Sequence, residues 1–126
     1  MRTSHLKNML GINSKKTGLF TIDKKLAHLS ALYNHEARIK VTTFQKLTVA
    51  FCKEMECTHI VRGLRDTKDF EYEKSIGHMN RAISGIETVF FLTALEHSAL
   101  NSSIIREMYQ NGADISSFVT NPDLLV

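Results

Sequence analysis

The sequence has little of what marks membrane proteins and disulfide-bonded secreted proteins. Its 126 residues include no tryptophan, one proline and two cysteines. No apolar run approaches the roughly 18 residues that cross a bilayer, and the first residues lack the apolar core of a secretory signal. We therefore expect a soluble, cytoplasmic protein with no membrane partner.

The sequence also lacks a block of charge of one sign. Its 16 basic residues are interleaved among 13 acidic ones, and the formal net charge is +3. A clustered basic face with aromatic stacking residues, which is typical of nucleic-acid-binding proteins, is missing. We expect an anionic small ligand and no nucleic acid. A hydrophobic content of 43% over this length predicts one domain, residues 1–126.

The two cysteines predict neither a disulfide nor a metal site. Cys52 and Cys57 lie on and just after a predicted helix, an arrangement that is poor for a disulfide. Together with His59 they match no common spacing of zinc ligands, and a fourth ligand is not evident. We interpret both as reduced thiols and predict no metal bound by the protein.

Predicted helices and strands alternate along the chain. Thr21 is typical of a helix N-cap, and the alternating side chains of residues 38–44 are typical of a strand. Strands that alternate with helices indicate an α/β fold with a parallel sheet. Met79, Phe90 and Phe91 are expected in the core. The predicted helices are 21–34, 47–56, 68–83 and 101–111, and the predicted strands are 38–44, 58–63 and 86–93.

Two arginines stand at the end of the apolar run THIVRG, residues 58–63, which predicts a short buried strand. Ligands of open α/β sheets bind at the carboxyl ends of strands, where Arg62 and Arg65 would lie. Guanidinium groups offer paired donors that suit phosphate oxygens, and Gly63 lets the backbone approach a ligand. A solvated strand end is the simpler alternative for so short a pattern. We predict a phosphate-binding site here.

A second candidate phosphate site lies further along the chain. Asn101, Ser102 and Ser103 precede an apolar helical pattern, and a helix start with free amides and hydroxyls suits phosphate. Helix capping alone explains most serine pairs of this kind. Lys15 and Lys16 lie in a glycine-containing loop, which is ordinarily a solvated turn.

Two longer segments carry a family resemblance. Residues 62–81, RGLRDTKDFEYEKSIGHMNR, and residues 101–107, NSSIIRE, together resemble the bacterial phosphopantetheine adenylyltransferases. The resemblance extends over residues 11–122 and leaves residues 1–10 unassigned. It implies a Rossmann-like α/β nucleotidyltransferase fold with a parallel sheet. The family's first strand and the helix of its Thr-x-Gly-His motif are missing from this sequence.

The resemblance implies an activity and its partners. Such enzymes transfer the adenylyl group of ATP to 4′-phosphopantetheine and release dephospho-coenzyme A and pyrophosphate, with Mg²⁺ on the phosphates. They form homohexamers, and coenzyme A is a further ligand. We therefore expect ATP, 4′-phosphopantetheine and dephospho-coenzyme A or coenzyme A as ligands, together with self-association.

The resemblance also implies two groups of contacts. Substrate contacts would fall on Lys16, Thr48 and Arg62, and Lys16 is the one possible catalytic residue because it would steady the transferring phosphate. From the residues alone, an exposed helix carboxylate near Lys74 is the preferred interpretation of Glu73. The implied ATP contacts are Gly63, Leu64, Arg65, Glu73, His97, Ser98, Ala99, Leu100, Asn101, Ser102 and Ser103.

The sequence departs from the family at the nucleotide contacts. Asn101 stands where the family has the first of three serines, and residues 97–100 differ from the usual pattern. Residues 75–78, SIGH, mimic the Thr-x-Gly-His motif by coincidence, because they fall within a predicted helix. The absent motif would stabilise the α-phosphate, so we expect little activity. The alternative is a non-catalytic remnant that binds nucleotide or coenzyme A, or serves as a subunit-interaction protein.

Overall fold

The computed structural model of the chain describes residues 8–13 and 18–125. All seven predicted elements are confirmed in type, with ends that differ by one or two residues, and one further strand begins the series. The strands are β1 (Asn8–Asn13), β2 (Ile39–Phe44), β3 (His59–Leu64) and β4 (Glu87–Leu92). The helices are α1 (Ile22–Leu32), α2 (Thr48–Glu54), α3 (Thr67–Ser84) and α4 (Ser102–Gln110), with 3₁₀ turns at Leu95–His97 and Pro122–Leu124.

The chain forms two compact units. The first unit comprises residues 1–45 and 102–126, and the second comprises residues 46–101. Each contains a sheet of two parallel strands, β1 with β2 and β3 with β4, which confirms the predicted parallel pairing. The expectation of one domain over residues 1–126 stays a prediction. Within the described ranges, no helix has the length and apolar character of a membrane span.

In the first unit, α1 follows β1 and precedes β2 in the sequence. The predicted N-cap at Thr21 is confirmed, because its Oγ1 accepts the Lys24 N–H at 3.2 Å. β1 pairs in register with β2, with Gly11 opposite Thr42. The sequence pattern does not predict β1, since its six residues form a short run with a glycine inside. Pairing with β2, not local propensity, makes it a strand.

In the second unit, α3 links β3 to β4. The strand pairing continues to the end of β3, where the Leu64 carbonyl accepts the Thr93 N–H at 2.8 Å. Asp66 caps α3, because its Oδ1 accepts the Asp69 N–H at 2.8 Å. The helix ends at Gly85, whose φ of 72° is a left-handed conformation that glycine adopts without strain. The junction between β3 and α3 is therefore fixed by main-chain and cap bonds.

One face of the β3–β4 sheet packs against α3. The Phe70 and Phe90 rings meet edge to face, with their centroids 6.5 Å apart. A Cβ built on Gly77 would lie 3.5 Å from the Thr88 Cβ and 3.6 Å from the Phe90 ring, so helix and strand are in close contact there. Neighbouring residues of a strand point to opposite faces, so Phe91 lies on the face away from α3.

Three expectations about burial are wrong. Met79 is 63% exposed and Phe91 is 61% exposed, so neither belongs to the core, while Phe90 is half-buried. Gly77 faces the strands, and Met79, two positions further along the helix, therefore points away from them. The expected buried strand over residues 58–63 is also exposed on one face. The buried apolar side chains of this unit are Val49, Phe51, Cys52, Leu64 and Ile86.

α2 ends in a left-handed turn at Glu56. The Cys57 N–H donates to the Cys52 carbonyl at 2.8 Å, and the Glu56 N–H donates to the Lys53 carbonyl at 3.1 Å, which is the Schellman pattern of helix ends. Glu56 has a φ of 55°, a conformation that strains a residue with a side chain. The turn brings two free thiols together: burial, and then the neighbouring Cys57, raise the pKa of the Cys52 thiol.

Replacing Glu56 by glycine is expected to raise the free energy of unfolding by about 1 kcal/mol, because glycine adopts the left-handed conformation without a Cβ clash. Urea denaturation followed by circular dichroism measures the change. Lys53→Gly is the matched control, since this position lies within α2 and glycine there costs about 1 kcal/mol. A Glu56→Gly protein less stable than the wild type would contradict the assigned turn.

Candidate functional site

Strand β3 carries one arginine near its end and is followed directly by another. Arg62 lies within β3, and Arg65 follows the buried Leu64, at the junction with α3. Because the carbonyl of Leu64 still pairs with Thr93, the backbone that carries Arg65 is held by the sheet. Both guanidinium groups thus start from a fixed main chain at the carboxyl end of the strand.

Arg62 is held by Glu73 of α3. Its Nε donates to Glu73 Oε2 at 2.8 Å, and its Nη2 donates to Oε1 at 2.5 Å. The Glu73 side chain is only 12% exposed, whereas that of Arg62 is 50% exposed. The hydrogen bonds that Arg62 donates to Glu73 raise the pKa of Arg62. The alternative that Glu73 is an exposed carboxylate beside Lys74 is wrong, because Lys74 pairs with Glu71 instead.

Arg65 is held by Asp69 in the same way. Its Nε donates to Asp69 Oδ2 at 2.9 Å, and its Nη2 donates to Oδ1 at 3.2 Å. The main-chain N–H of Arg65 also donates to Oδ2, at 3.2 Å. Hydrogen bonds from Arg65 lower the pKa of Asp69, and the Asp69 carboxylate raises the pKa of Arg65. Arg65 Nη1 also donates to the Leu100 carbonyl, at 3.2 Å.

The two arginine–carboxylate pairs share one geometry. In each, the guanidinium contacts its carboxylate side-on, through Nε and Nη2, and its end-on edge, formed by Nη1 and Nη2, is turned away from that carboxylate. Asp69 and Glu73 are four residues apart, so they lie one turn apart on one face of α3. We call these four side chains, Arg62, Arg65, Asp69 and Glu73, the arginine–carboxylate cluster.

The end-on edges retain donors for a ligand. An arginine side chain has five N–H groups. The side-chain contacts within the described part of the chain use two of these on Arg62 and three on Arg65. Phosphate oxygens are suitable acceptors for the others. The arrangement can therefore present directed donors to two phosphate groups without breaking the pairs.

The segment after β4 lies beside Arg65. It contains the 3₁₀ turn Leu95–His97, where Ser98 Oγ donates to the Leu95 carbonyl at 2.7 Å. The Leu100 N–H donates to the His97 carbonyl at 3.0 Å, so the carbonyl that Arg65 contacts belongs to a folded turn. His97, Ser98 and Ala99 are exposed. The ends of β3 and β4 thus bring Arg65 and part of the predicted ATP-contact segment together.

Other predicted site residues belong to other elements of the chain. Ser102 opens α4 in the first unit, and Ser103 Oγ accepts from Arg106 Nη2 at 3.1 Å. Thr48 is the exposed first residue of α2. Their convergence with Arg62, and the individual roles of all predicted site residues, stay predictions. Lys16 lies outside the described residues. The SIGH segment, residues 75–78, lies inside α3, as expected.

Asp69 is a member of the cluster that the sequence analysis does not identify. The sequence does contain a signal, because Asp69 stands four residues before Glu73, the spacing that joins side chains along a helix face, and four residues after Arg65. No group of three or more side chains able to hold a metal ion occurs in residues 8–13 and 18–125. The outward donors of its two arginines suit the cluster to binding anions.

A separate cleft of about 310 Å³ lies in the first unit, between the end of α1 and β2. At its rim, hydrogen bonds from Arg38 lower the pKa of Glu36 to about 2. It contains none of the predicted site residues, so we do not assign it to ligand binding. Its lining residues are Ser30, Tyr33, Asn34, Glu36, Ala37, Ile39, Lys40 and Val41.

Known proteins resemble most of the chain. Residues 9–108 match the cytidylyltransferase-like family. The protein named phosphopantetheine adenylyltransferase from Bacteroides fragilis is 40% identical over 110 residues, which span 87% of this chain and 73% of that protein. The protein of the same name from Bacteroides thetaiotaomicron is 41% identical with the same coverage. That from Lachnoclostridium phytofermentans is 43% identical, over 86% of this chain and 68% of its own length.

These matches include both sides of the arginine–carboxylate cluster, β3 and α3. The identities exceed one third, and the aligned regions cover more than two thirds of the relatives named. The predicted nucleotidyltransferase fold and the family resemblance are both confirmed. The chain belongs to the phosphopantetheine adenylyltransferase family, within the cytidylyltransferase-like proteins.

Proposed function

We propose that the chain is a pantetheine-phosphate adenylyltransferase of coenzyme A biosynthesis. It would transfer the adenylyl group of ATP to 4′-phosphopantetheine and release dephospho-coenzyme A and pyrophosphate. Family membership supports this reaction, as do relatives that carry the enzyme's name. The structural observation that carries the proposal is the arginine–carboxylate cluster, which turns two sets of free donors outward at the end of β3.

The reaction requires positioning more than covalent chemistry by the protein. An oxygen of the acceptor phosphate attacks the α-phosphorus of ATP, the bond from that phosphorus to the bridging oxygen breaks, and pyrophosphate leaves. No protein nucleophile takes part, so holding both phosphates in line and stabilising their charge supplies the acceleration. In the proposal, Arg62 donates to the acceptor phosphate and Arg65 to ATP. Lys16 is proposed to steady the transferring phosphate.

The cluster acts through direction and not through net charge. Two guanidinium groups and two carboxylates sum to zero, so a distant phosphate is only weakly attracted. At contact distance, preset N–H groups replace the water that hydrated the phosphate, with little further loss of side-chain freedom. The carboxylates of Asp69 and Glu73 form salt bridges with the two arginines. Mg²⁺ is therefore proposed to enter with ATP, coordinated mainly by phosphate oxygens.

The other contacts belong to the same proposal. Gly63, Leu64 and Glu73 adjoin the two arginines, and the ATP contacts would continue through residues 97–103. Thr48, exposed at the start of α2, would meet the pantetheine arm. Assembly into a homohexamer, a cytoplasmic location and binding of coenzyme A complete the proposal.

The reaction is tested by incubating the chain with ATP, 4′-phosphopantetheine and Mg²⁺. We expect slow turnover that releases pyrophosphate and dephospho-coenzyme A in equal amounts, measured by a coupled phosphate assay and mass spectrometry. Calorimetric titrations with ATP and with dephospho-coenzyme A test binding separately. Heat of binding without pyrophosphate would support the non-catalytic alternative. The absence of both binding heat and product would contradict the proposal.

Arg62→Lys is expected to weaken binding of dephospho-coenzyme A by about tenfold to a hundredfold. Lysine keeps the charge but cannot contact Glu73 side-on while donating to a phosphate, and a charge-assisted hydrogen bond contributes about 1.5–3 kcal/mol. Titration calorimetry measures the affinity. Arg38→Lys is the matched control, because Arg38 forms an exposed pair with Glu36 in the first unit. Equal affinity for the Arg62→Lys and control proteins would rule out the assigned contact.

Gly63→Ala separates ligand contact from folding. Apart from the two neighbouring residues, no atom of the described part of the chain lies within 4 Å of a Cβ built on Gly63, so we expect alanine to give equal or slightly higher stability. Because the backbone is proposed to approach ATP, the methyl group should lower ATP affinity by about tenfold or more.

Gly85→Ala is the control, because here we expect stability to change and ATP affinity to stay the same. Gly85 needs its positive φ, so alanine should cost about 1 kcal/mol of stability and leave ATP affinity unchanged. Thermal melts and ATP titrations are run on both variants. Wild-type ATP affinity in Gly63→Ala would show that the ligand does not approach this backbone.

A further inference from the structure

Asp69 makes more contacts with Arg65 than the salt bridge alone. One carboxylate accepts three hydrogen bonds from this residue: from the main-chain N–H at 3.2 Å, from Nε at 2.9 Å and from Nη2 at 3.2 Å. The first bond fixes the start of the side chain, and the other two fix its far end. A long side chain held at both ends loses most of its rotamer freedom before any ligand arrives.

The Asp69 carboxylate is not needed to start α3. That task belongs to Asp66, whose Oδ1 accepts from the main-chain N–H of Asp69 at 2.8 Å. A change at the Asp69 side chain leaves both partners of this cap bond in place. The described contacts of the Asp69 carboxylate all go to Arg65.

The orientation of Arg65 reaches beyond α3. With Nε and Nη2 directed to Asp69, Nη1 points to the Leu100 carbonyl at 3.2 Å. Leu100 follows the 3₁₀ turn Leu95–His97 and bonds back to His97 through its N–H at 3.0 Å. Asp69 therefore influences two parts of the second unit, the guanidinium of Arg65 and the turn after β4.

We propose that Asp69 is a positioning residue, which sets Arg65 and, through Arg65, the Leu100 turn in the arrangement that receives the phosphates of ATP. The ligand in this proposal rests on the proposed function. Asp69 itself does not touch the nucleotide. Loss of the Asp69 carboxylate should act only through Arg65. It should weaken the binding of ATP more than the binding of 4′-phosphopantetheine.

The test compares Asp69→Asn with Glu71→Gln in the full chain. Glu71 is the matched control, a carboxylate of the same helix that pairs with Lys74 and is well exposed. Titration calorimetry with ATP should show about tenfold weaker binding for Asp69→Asn and less than a twofold change for Glu71→Gln. Affinity for dephospho-coenzyme A, or the KM for 4′-phosphopantetheine where turnover is measured, should change less than the ATP affinity.

A double-mutant cycle separates positioning from general structural damage. If Asp69 acts through Arg65, the double variant Asp69→Asn with Arg65→Ala should bind ATP within twofold of Arg65→Ala alone. Losses that add in the double variant would overturn the proposal. Thermal melts of all variants confirm that each is folded at the temperature of titration.

A third readout does not depend on ATP. The NMR carbonyl shift of Leu100 reports its hydrogen bond from Arg65 in the free chain. It should move in Asp69→Asn and not in Glu71→Gln. An unmoved shift together with wild-type ATP affinity would overturn the Asp69 proposal alone. A wild-type chain that binds no ATP would instead overturn the proposed function, and with it the ligand assigned here.

Discussion

The side-on contact between two arginines and two carboxylates is the interaction on which the candidate site depends. It exists because β3 carries Arg62 near its end and Arg65 directly after it, while α3 presents Asp69 and Glu73 one turn apart. The cap at Asp66 fixes where α3 begins, so that Asp69 and Glu73 lie beside the two arginines. Without that junction, each guanidinium would be a mobile surface charge.

The cluster is better explained by orientation than by stability. Both arginines remain substantially exposed, and exposed ion pairs add little to folding because water screens them and side-chain freedom is lost. The ion pairs are useful to a phosphate-binding site for another reason. They restrict the arginine side chains before the ligand binds, so that binding costs less conformational entropy. Folding of the second unit rests instead on apolar contacts, such as that between Phe70 and Phe90, which place α3 on the sheet.

Local chemistry explains which features could be predicted from the sequence. The cap at Thr21 and the alternation of helices and strands were readable because each depends on neighbouring residues. β1 and the exposure of Phe91 depend on which strand or helix lies opposite, which the pattern does not contain. Residue type and position predict the two arginines, and the family resemblance predicts Glu73. The sequence does not predict the role of Asp69, because that role depends on the packing of α3 beside β3.

The central claim is that both guanidinium groups stay bound side-on to α3 while their end-on edges receive phosphate. NMR of the arginine side-chain nitrogens during a titration with pyrophosphate tests it most directly. We expect the Nε–H signals of Arg62 and Arg65 to keep the shifts of carboxylate-bound groups, while their Nη signals move as pyrophosphate is added. Nε–H signals that move to the values of free arginine, or Nη signals that do not respond, would contradict the claim.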